Sequence, residues 1–294
     1  MNALSRLLLA ALWLLHWLPL AVQAALGHGF GLMLFALARR RRKIALRNVE
    51  LCLPELSPAA RQALVREHFQ WLARGLFERS LQWYASAERL KRIIRVEGDV
   101  HLAERSERPV MWLAPHFVGV DAGAISTQLY QTQRVASIYS AQSNPVYDAA
   151  LKRGRLRFGL ADIFSRHQSA LPLVRAIKRG CAFYNAPDMD FGLRDAAFVP
   201  YFGNQVATLL APSKMARSLN MIVQPVVVEI LPGGRGYVVR YLEPWTDWPT
   251  DDPVADAART NRWLEEQIRR CPAQYLWVHK RFKTRPPGEP SVYA

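Results

Sequence analysis

The segment Pro109-Val-Met-Trp-Leu-Ala-Pro-His-Phe-Val-Gly-Val-Asp121 sets a histidine and a carboxylate five residues apart at the end of an apolar run. An imidazole has a pKa of about 6.5, and a neighbouring anion raises its basicity, so it can take a proton from a hydroxyl near neutral pH. His116 is therefore the candidate general base and Asp121 the candidate orienting carboxylate, chemistry suited to acyl transfer onto an alcohol. A hydrogen-bonded structural histidine has the same spacing, and the spacing alone does not separate the two.

The elements that must position this pair are legible. Val110 to Ala114 is too short for a helix and fits a strand covered on both faces, and Pro115 ends the ladder. Gly119 to Tyr130 has the small and apolar residues of a helix packed closely on a sheet, which puts Asp121 near its first turn. His116 and Asp121 are thus expected to meet across a strand-to-helix turn.

Four further stretches bear on chemistry. Asn144-Pro145 opens a helix in which Lys152, Arg153, Arg155 and Arg157 crowd together, a density that grips phosphates or an acidic partner, or else forms a solvated basic face. Asn185-Ala-Pro-Asp188-Met-Asp190-Phe-Gly192 puts two acids at a strand end, where α/β sheets build their sites, and implies an ordered cleft or substrate contacts rather than a metal. Phe198-Val-Pro-Tyr-Phe-Gly203 carries a hairpin-like turn, and Ala207-Thr208-Leu-Leu-Ala-Pro-Ser213 opens a helix. Trp277-Val-His-Lys-Arg-Phe-Lys-Thr-Arg285 is a basic, aromatic tail suited to a membrane surface or lipid phosphate, and nucleic acid would attract it too.

Short β-rich runs alternate with helical lengths from Ile93 onward. Strands are expected near Ile93–Glu97, Val110–Ala114, Val135–Tyr139, Cys181–Asn185, Met221–Val228 and Tyr237–Tyr241, with a Gly-rich turn at 232–236 joining the last two as an antiparallel pair. Helices are expected near 119–130, 145–158, 170–179, 208–219 and 253–270. This is an α/β domain with a mixed, largely parallel sheet flanked by helices. Ile44 to Leu90 reads as helical, with Ser57-Pro58 as N-cap and first residue, and Trp71, Phe77, Trp83 and Tyr84 seating the helices against the sheet.

Before this domain, Leu7 to Ala38 is overwhelmingly apolar and ends at Arg39-Arg-Arg-Arg-Lys43. About 20 apolar residues span a bilayer, so Leu7 to Leu26 is expected to cross once, with Gly27 to Ala38 in the interface or in protein and Trp13 and Trp17 as interfacial anchors. A secretory signal cleaved after Val22-Gln23-Ala24 is the rival reading. The basic cluster keeps the body cytoplasmic by the positive-inside rule, and the expected division is a membrane anchor over 1–43 and a catalytic domain over 44–294. With 39 Lys and Arg against 24 Asp and Glu, the net charge is +15, which points to an anionic partner. Cys52, Cys181 and Cys271 are too few and too scattered for a disulfide framework and read as reduced core thiols.

The ordered set of motifs resembles the secondary acyltransferases of lipid A biosynthesis, lauroyl and myristoyl transferases within the lysophospholipid acyltransferase fold. The resemblance runs through the apolar N-terminus, Arg47-Asn-Val-Glu-Leu-Cys-Leu-Pro54, His116 with Asp121, Asn144-Pro145, Gly154-Arg155-Leu-Arg157, Ala186-Pro-Asp188-Met-Asp190-Phe-Gly192, Phe198-Val-Pro200 and the ending from Gln274 to Pro286. It implies transfer of a fatty acyl group from acyl carrier protein to a hydroxyl of Kdo-lipid IVA at the cytoplasmic side of the inner membrane. His116 and Asp121 would be catalytic, and Arg155, Arg157, Asp188 and Asp190 would contact substrate. Direct attack on the thioester would require no cofactor, metal or acyl-enzyme. Two positions depart from the family pattern: many relatives have glutamate at Asp121, and many have arginine at Ser140. Acylation of a lysophospholipid or an amino-acid lipid is the alternative within the same chemistry. A membrane-attached nucleic-acid-binding protein is the alternative outside it, disfavoured because the basic residues are dispersed.

Overall fold

A computed structural model describes residues 2–293. Five helices precede the sheet: α1 (Asn2–Leu15), α2 (Leu20–Leu37), α3 (Arg39–Cys52), α4 (Pro58–Tyr84) and α5 (Ala87–Ile93). There follow β1 (Ile94–Gly98), α6 (Leu102–Arg105), β2 (Val110–Leu113), α7 (Val120–Leu129), β3 (Val135–Tyr139), α8 (Pro145–Leu156), β4 (Ala161–Ser165), α9 (Leu171–Lys178) and β5 (Ala182–Asn185). A hairpin of β6 (Ala196–Tyr201) and β7 (Asn204–Leu209), then α10 (Ala211–Ser218), β8 (Ile222–Ile230), β9 (Tyr237–Tyr241) and α11 (Pro253–Arg270) complete the chain.

Seven strands form one sheet in the order β1-β9-β8-β2-β5-β3-β4, parallel throughout except for β8 against β9. The six expected strands are all present. β4 is additional, the hairpin-like turn expected in Phe198–Gly203 joins β6 to β7, and β7 takes in Ala207 and Thr208, so the helix expected from 208 begins at Ala211. All four residues of β2 are buried, as a central strand covered on both faces requires. α7 lies close on the sheet because Gly123 leaves no side chain to collide with the Tyr184 hydroxyl and Val228.

The N-terminus departs from the single span expected over Leu7–Leu26. Pro19 sits in extended backbone ahead of α2 and breaks the apolar run into two helices. The carbonyls freed at the break are satisfied from α2 itself and from the body. Gln23, fully buried, donates to the Leu15 and Leu18 carbonyls at 2.8 and 3.1 Å and accepts from Ser80 Oγ, and Arg89 donates to the His16 and Leu18 carbonyls. Leu20–Leu37 is the one helix among the described residues long and apolar enough to cross a membrane. It also packs along α4: a Cβ at Gly27 would come within 2.6 Å of Arg74 Cα, and one at Gly31 would overlap the backbone of Gln70. Phe77 and Tyr84 accordingly face Phe30 of α2 and His16 of the α1–α2 turn rather than the sheet. The boundary expected after Lys43 falls inside α3.

This backbone contact yields a contrast within one helix. Gly27→Ala and Gly31→Ala each overpack the α2–α4 seam and are expected to cost about 1–3 kcal/mol. Gly29→Ala, which meets nothing within 4 Å, should be neutral or slightly stabilising. Thermal unfolding of the three variants in detergent checks the difference.

Candidate active site

Parallel pairing of β2 with β5 brings Leu113 opposite Asn185, and the Ala114 amide donates to the Asn185 carbonyl at 2.8 Å. Three residues beyond each partner stand His116 and Asp188, level with one another past the carboxyl edge of the sheet, where open α/β sheets place their sites. The Asp188 carboxylate accepts from the His116 backbone amide at 3.0 and 3.1 Å, and its Oδ1 lies 2.7 Å from His116 Nδ1. The loop is strapped from the C-terminal side, where the Val118 amide donates to the Gln274 carbonyl and the Leu276 amide to that of His116.

The carboxylate that orients the histidine is therefore Asp188, which corrects the expected pairing with Asp121. Asp121 does stand in the first turn of α7, but its oxygens accept from Arg79 of α4 at 2.9 Å and Arg155 of α8 at 2.8 Å. Arg79 also donates to the Tyr147 hydroxyl at 2.8 Å, so Asp121 is the centre of a brace joining α4, α7 and α8. Two guanidiniums close on both oxygens outcompete a neutral imidazole for the carboxylate.

The same charges set the protonation states. Burial works against the charge on Asp121, and Arg155 and then Arg79 overcome it, holding the carboxyl well below the usual range. Burial likewise opposes charge on His116, but Asp188, by charge and hydrogen bond, and then Asp121 raise its pKa above the ordinary imidazole value. Asp188 is lowered, with His116 outweighing the cost of burial. His279, whose Nε2 accepts from the Asp190 amide at 3.1 Å, is pushed down to about 4 by burial and stays neutral.

His116, Asp121 and Arg155 line one cleft of about 670 Å³, together with Tyr184, Arg166 and Arg194. The His116 side chain is 24% exposed there. With Nδ1 committed to Asp188, Nε2 is the nitrogen left to exchange a proton with a bound group.

Of the residues expected to contact substrate, only Arg155 lines this cleft. Arg157 turns the other way, donating to the Gln82 and Ala85 carbonyls at the C-terminal end of α4, where a cation satisfies acceptors that the helix leaves unpaired. Asp188 serves His116. Asp190 is buried and accepts from the Gly192 amide and from the amide and hydroxyl of Thr284, so it orders the turn that follows it and the C-terminal segment. That segment is not a free basic tail: Trp277, Arg281 and Phe282 are buried, and Arg281 donates to the Ala207 carbonyl and Thr208 Oγ1. Among the described residues no three His, Cys, Asp or Glu side chains are placed to share a metal ion.

The bacterial lipid A biosynthesis acyltransferase family model matches residues 2–284. The chain belongs to this family. It is 34% identical to the lipid A biosynthesis lauroyltransferase of Escherichia coli K12, over 97% of this chain and 93% of that one. It is 33% identical to the palmitoleoyltransferase of the same organism, over 97% and 92%, and 29% identical to the myristoyltransferase, over 87% and 80%. The chain is thus an acyltransferase of lipid A biosynthesis, as its motifs imply. Two parts of its site have no local signature in the sequence. Arg79 sits in the last turns of α4 beside Glu78, with nothing in its neighbourhood to mark it, and the partnership of Asp188 with His116 emerges only once β2 and β5 are known to be neighbours.

Proposed function

We propose that this acyltransferase moves a fatty acyl group from an acyl carrier protein thioester to a hydroxyl of the Kdo-bearing lipid IVA precursor, at the cytoplasmic face of the inner membrane. The observation that carries the proposal is the 2.7 Å contact of His116 Nδ1 with Asp188, which leaves Nε2 on the cleft. Nε2 takes the proton of the acceptor hydroxyl as its oxygen attacks the thioester carbonyl. The C–O bond forms, the C–S bond breaks, and the imidazolium returns its proton to the leaving thiolate. Asp188 stabilises the imidazolium between these steps, and Arg155, fixed by Asp121, is the cation on hand for the oxyanion.

The apolar surface of the first two helices supports a membrane-borne acceptor. Leu7 and Trp17 are each 67% exposed, and Leu4, Leu8, Leu14 and Leu37 are exposed as well, apolar surface that a bilayer would cover. The net charge of +15 favours an acidic carrier protein and a phosphorylated lipid alike. The deciding experiment incubates purified protein with a panel of acyl carrier protein thioesters and with lipid IVA acceptors, reading products by mass spectrometry. Addition of one acyl group to lipid IVA is expected, and acylation confined to lysophospholipid controls would overturn the assignment.

A further inference from the structure

We infer that Arg166 and Arg194 form a phosphate-binding rim on the cleft, a subsite separate from the His116 centre; the inference rests on the function proposed above. Arg157 faces α4, and Arg155, fixed by Asp121, is committed to the oxyanion beside His116, so neither is left for a substrate phosphate. Arg166 and Arg194 both line the cleft, both are exposed, and neither makes an ion pair or hydrogen bond through its guanidinium among the described residues.

The acids that could neutralise them are already engaged. Asp162 pairs with Arg134, Asp195 with Lys214, Asp188 with His116, and Asp190 with Gly192 and Thr284. Two uncompensated guanidiniums therefore border a cleft that ends at a general base. Arg166 is also held in place, and the backbone that carries Arg194 is ordered. The Arg166 amide donates to the Tyr139 carbonyl at 3.0 Å, and its guanidinium lies over the Phe191 ring, 4.6 Å from the centroid. Phe191 and Arg194 belong to the turn through Gly192, whose φ of +89° suits glycine and whose amide is anchored by Asp190. The acidic block thus orders a loop that presents a cation to substrate. A planar guanidinium stacked on a ring is preorganised for two-point contact with phosphate oxygens.

The ligand is a phosphate borne by one of the two substrates: the phosphomonoester of a glycolipid acceptor or the phosphodiester of the carrier's pantetheine arm. The test measures KM for Arg166→Ala, Arg194→Ala and the double variant with two acceptors, phosphorylated and enzymatically dephosphorylated, and two donors, an acyl carrier protein thioester and a phosphate-free N-acetylcysteamine thioester. Each single variant should raise KM about tenfold and the double variant more, the scale of a lost hydrogen bond to a charged group. Arg166→Lys, which keeps charge but not the two-point contact, should fall between. A penalty that vanishes with the dephosphorylated acceptor assigns the rim to the acceptor, and one that vanishes with the phosphate-free donor assigns it to the carrier arm. A wild-type KM in the double variant, or an equal penalty on substrates lacking both phosphates, overturns the inference.

Calorimetric titration of the phosphorylated acceptor and of the carrier protein thioester in detergent needs no turnover and should show the same loss of affinity. It separates the two proposals: an inactive wild type whose binding still depends on Arg166 and Arg194 would remove the transferase reading alone. Active wild type with binding indifferent to both arginines would remove the rim alone.

Discussion

His116→Ala is expected to lower turnover at least ~100-fold, the scale of losing a general base, with the fold retained. Retention is expected because the Asp188 carboxylate keeps its bonds from the backbone amide of residue 116 when the ring is removed. Purified, folded His116→Ala turning over at the wild-type rate would end the mechanism. In the proposed mechanism catalysis needs neutral imidazole, so activity should rise with pH through the His116 pKa, which lies above the ordinary imidazole value because Asp188, and secondarily Asp121, favour the charged ring. Asp188→Asn removes the larger of these two influences while burial continues to disfavour the cation. The acid limb should therefore move to lower pH while turnover falls, since the imidazole is both less basic and less firmly oriented. A limb that stays in place in Asp188→Asn would show that the limb reports another group.

That Asp188 fills this place, and Asp121 does not, marks where sequence reading reaches its limit here. Strand positions were legible because β-branched and apolar runs such as Val110–Leu113 and Val135–Tyr139 are punctuated by proline, glycine and polar turns. β4 was not, because it is an edge strand of partly exposed residues, and of the β6–β7 hairpin only the turn was legible, since Pro200 masks β6 as a strand. The His116 loop and the acidic block each stand out in the sequence, yet their pairing depends on the neighbourhood of β2 and β5 in a sheet whose strand order no local pattern encodes. Short spacing suggested Asp121 instead. It lost to Arg79, a residue 42 positions upstream that arrives through the long helix α4. Pro19 likewise lay in plain view, but hydropathy over a 20-residue window averages across it.

The Arg79–Asp121–Arg155 brace makes the second large effect one of stability and positioning together. Asp121→Asn keeps the shape of the side chain but removes the charge facing two guanidiniums and turns an amide N–H toward one of them. Breaking a fully buried ion pair costs about 3–5 kcal/mol; with these side chains 16–31% exposed, about 2 kcal/mol is the expected loss, or roughly 4–8 °C in Tm. Thermal unfolding of the purified variant checks it. Arg155, released from Asp121, would no longer be fixed beside His116, so kcat should fall in the same variant. The acid limb should shift less than in Asp188→Asn, because Asp121 ranks behind Asp188 in raising the His116 pKa. Asp121→Glu keeps the charge for both arginines and should recover most of the stability. If Asp121→Asn instead moved the acid limb as far as Asp188→Asn while leaving Tm unchanged, Asp121 would be acting on the imidazole directly and the brace would be incidental. The two readouts thus divide the carboxylates by role, Asp188 through the proton it holds on His116 and Asp121 through the arginine it holds in the cleft.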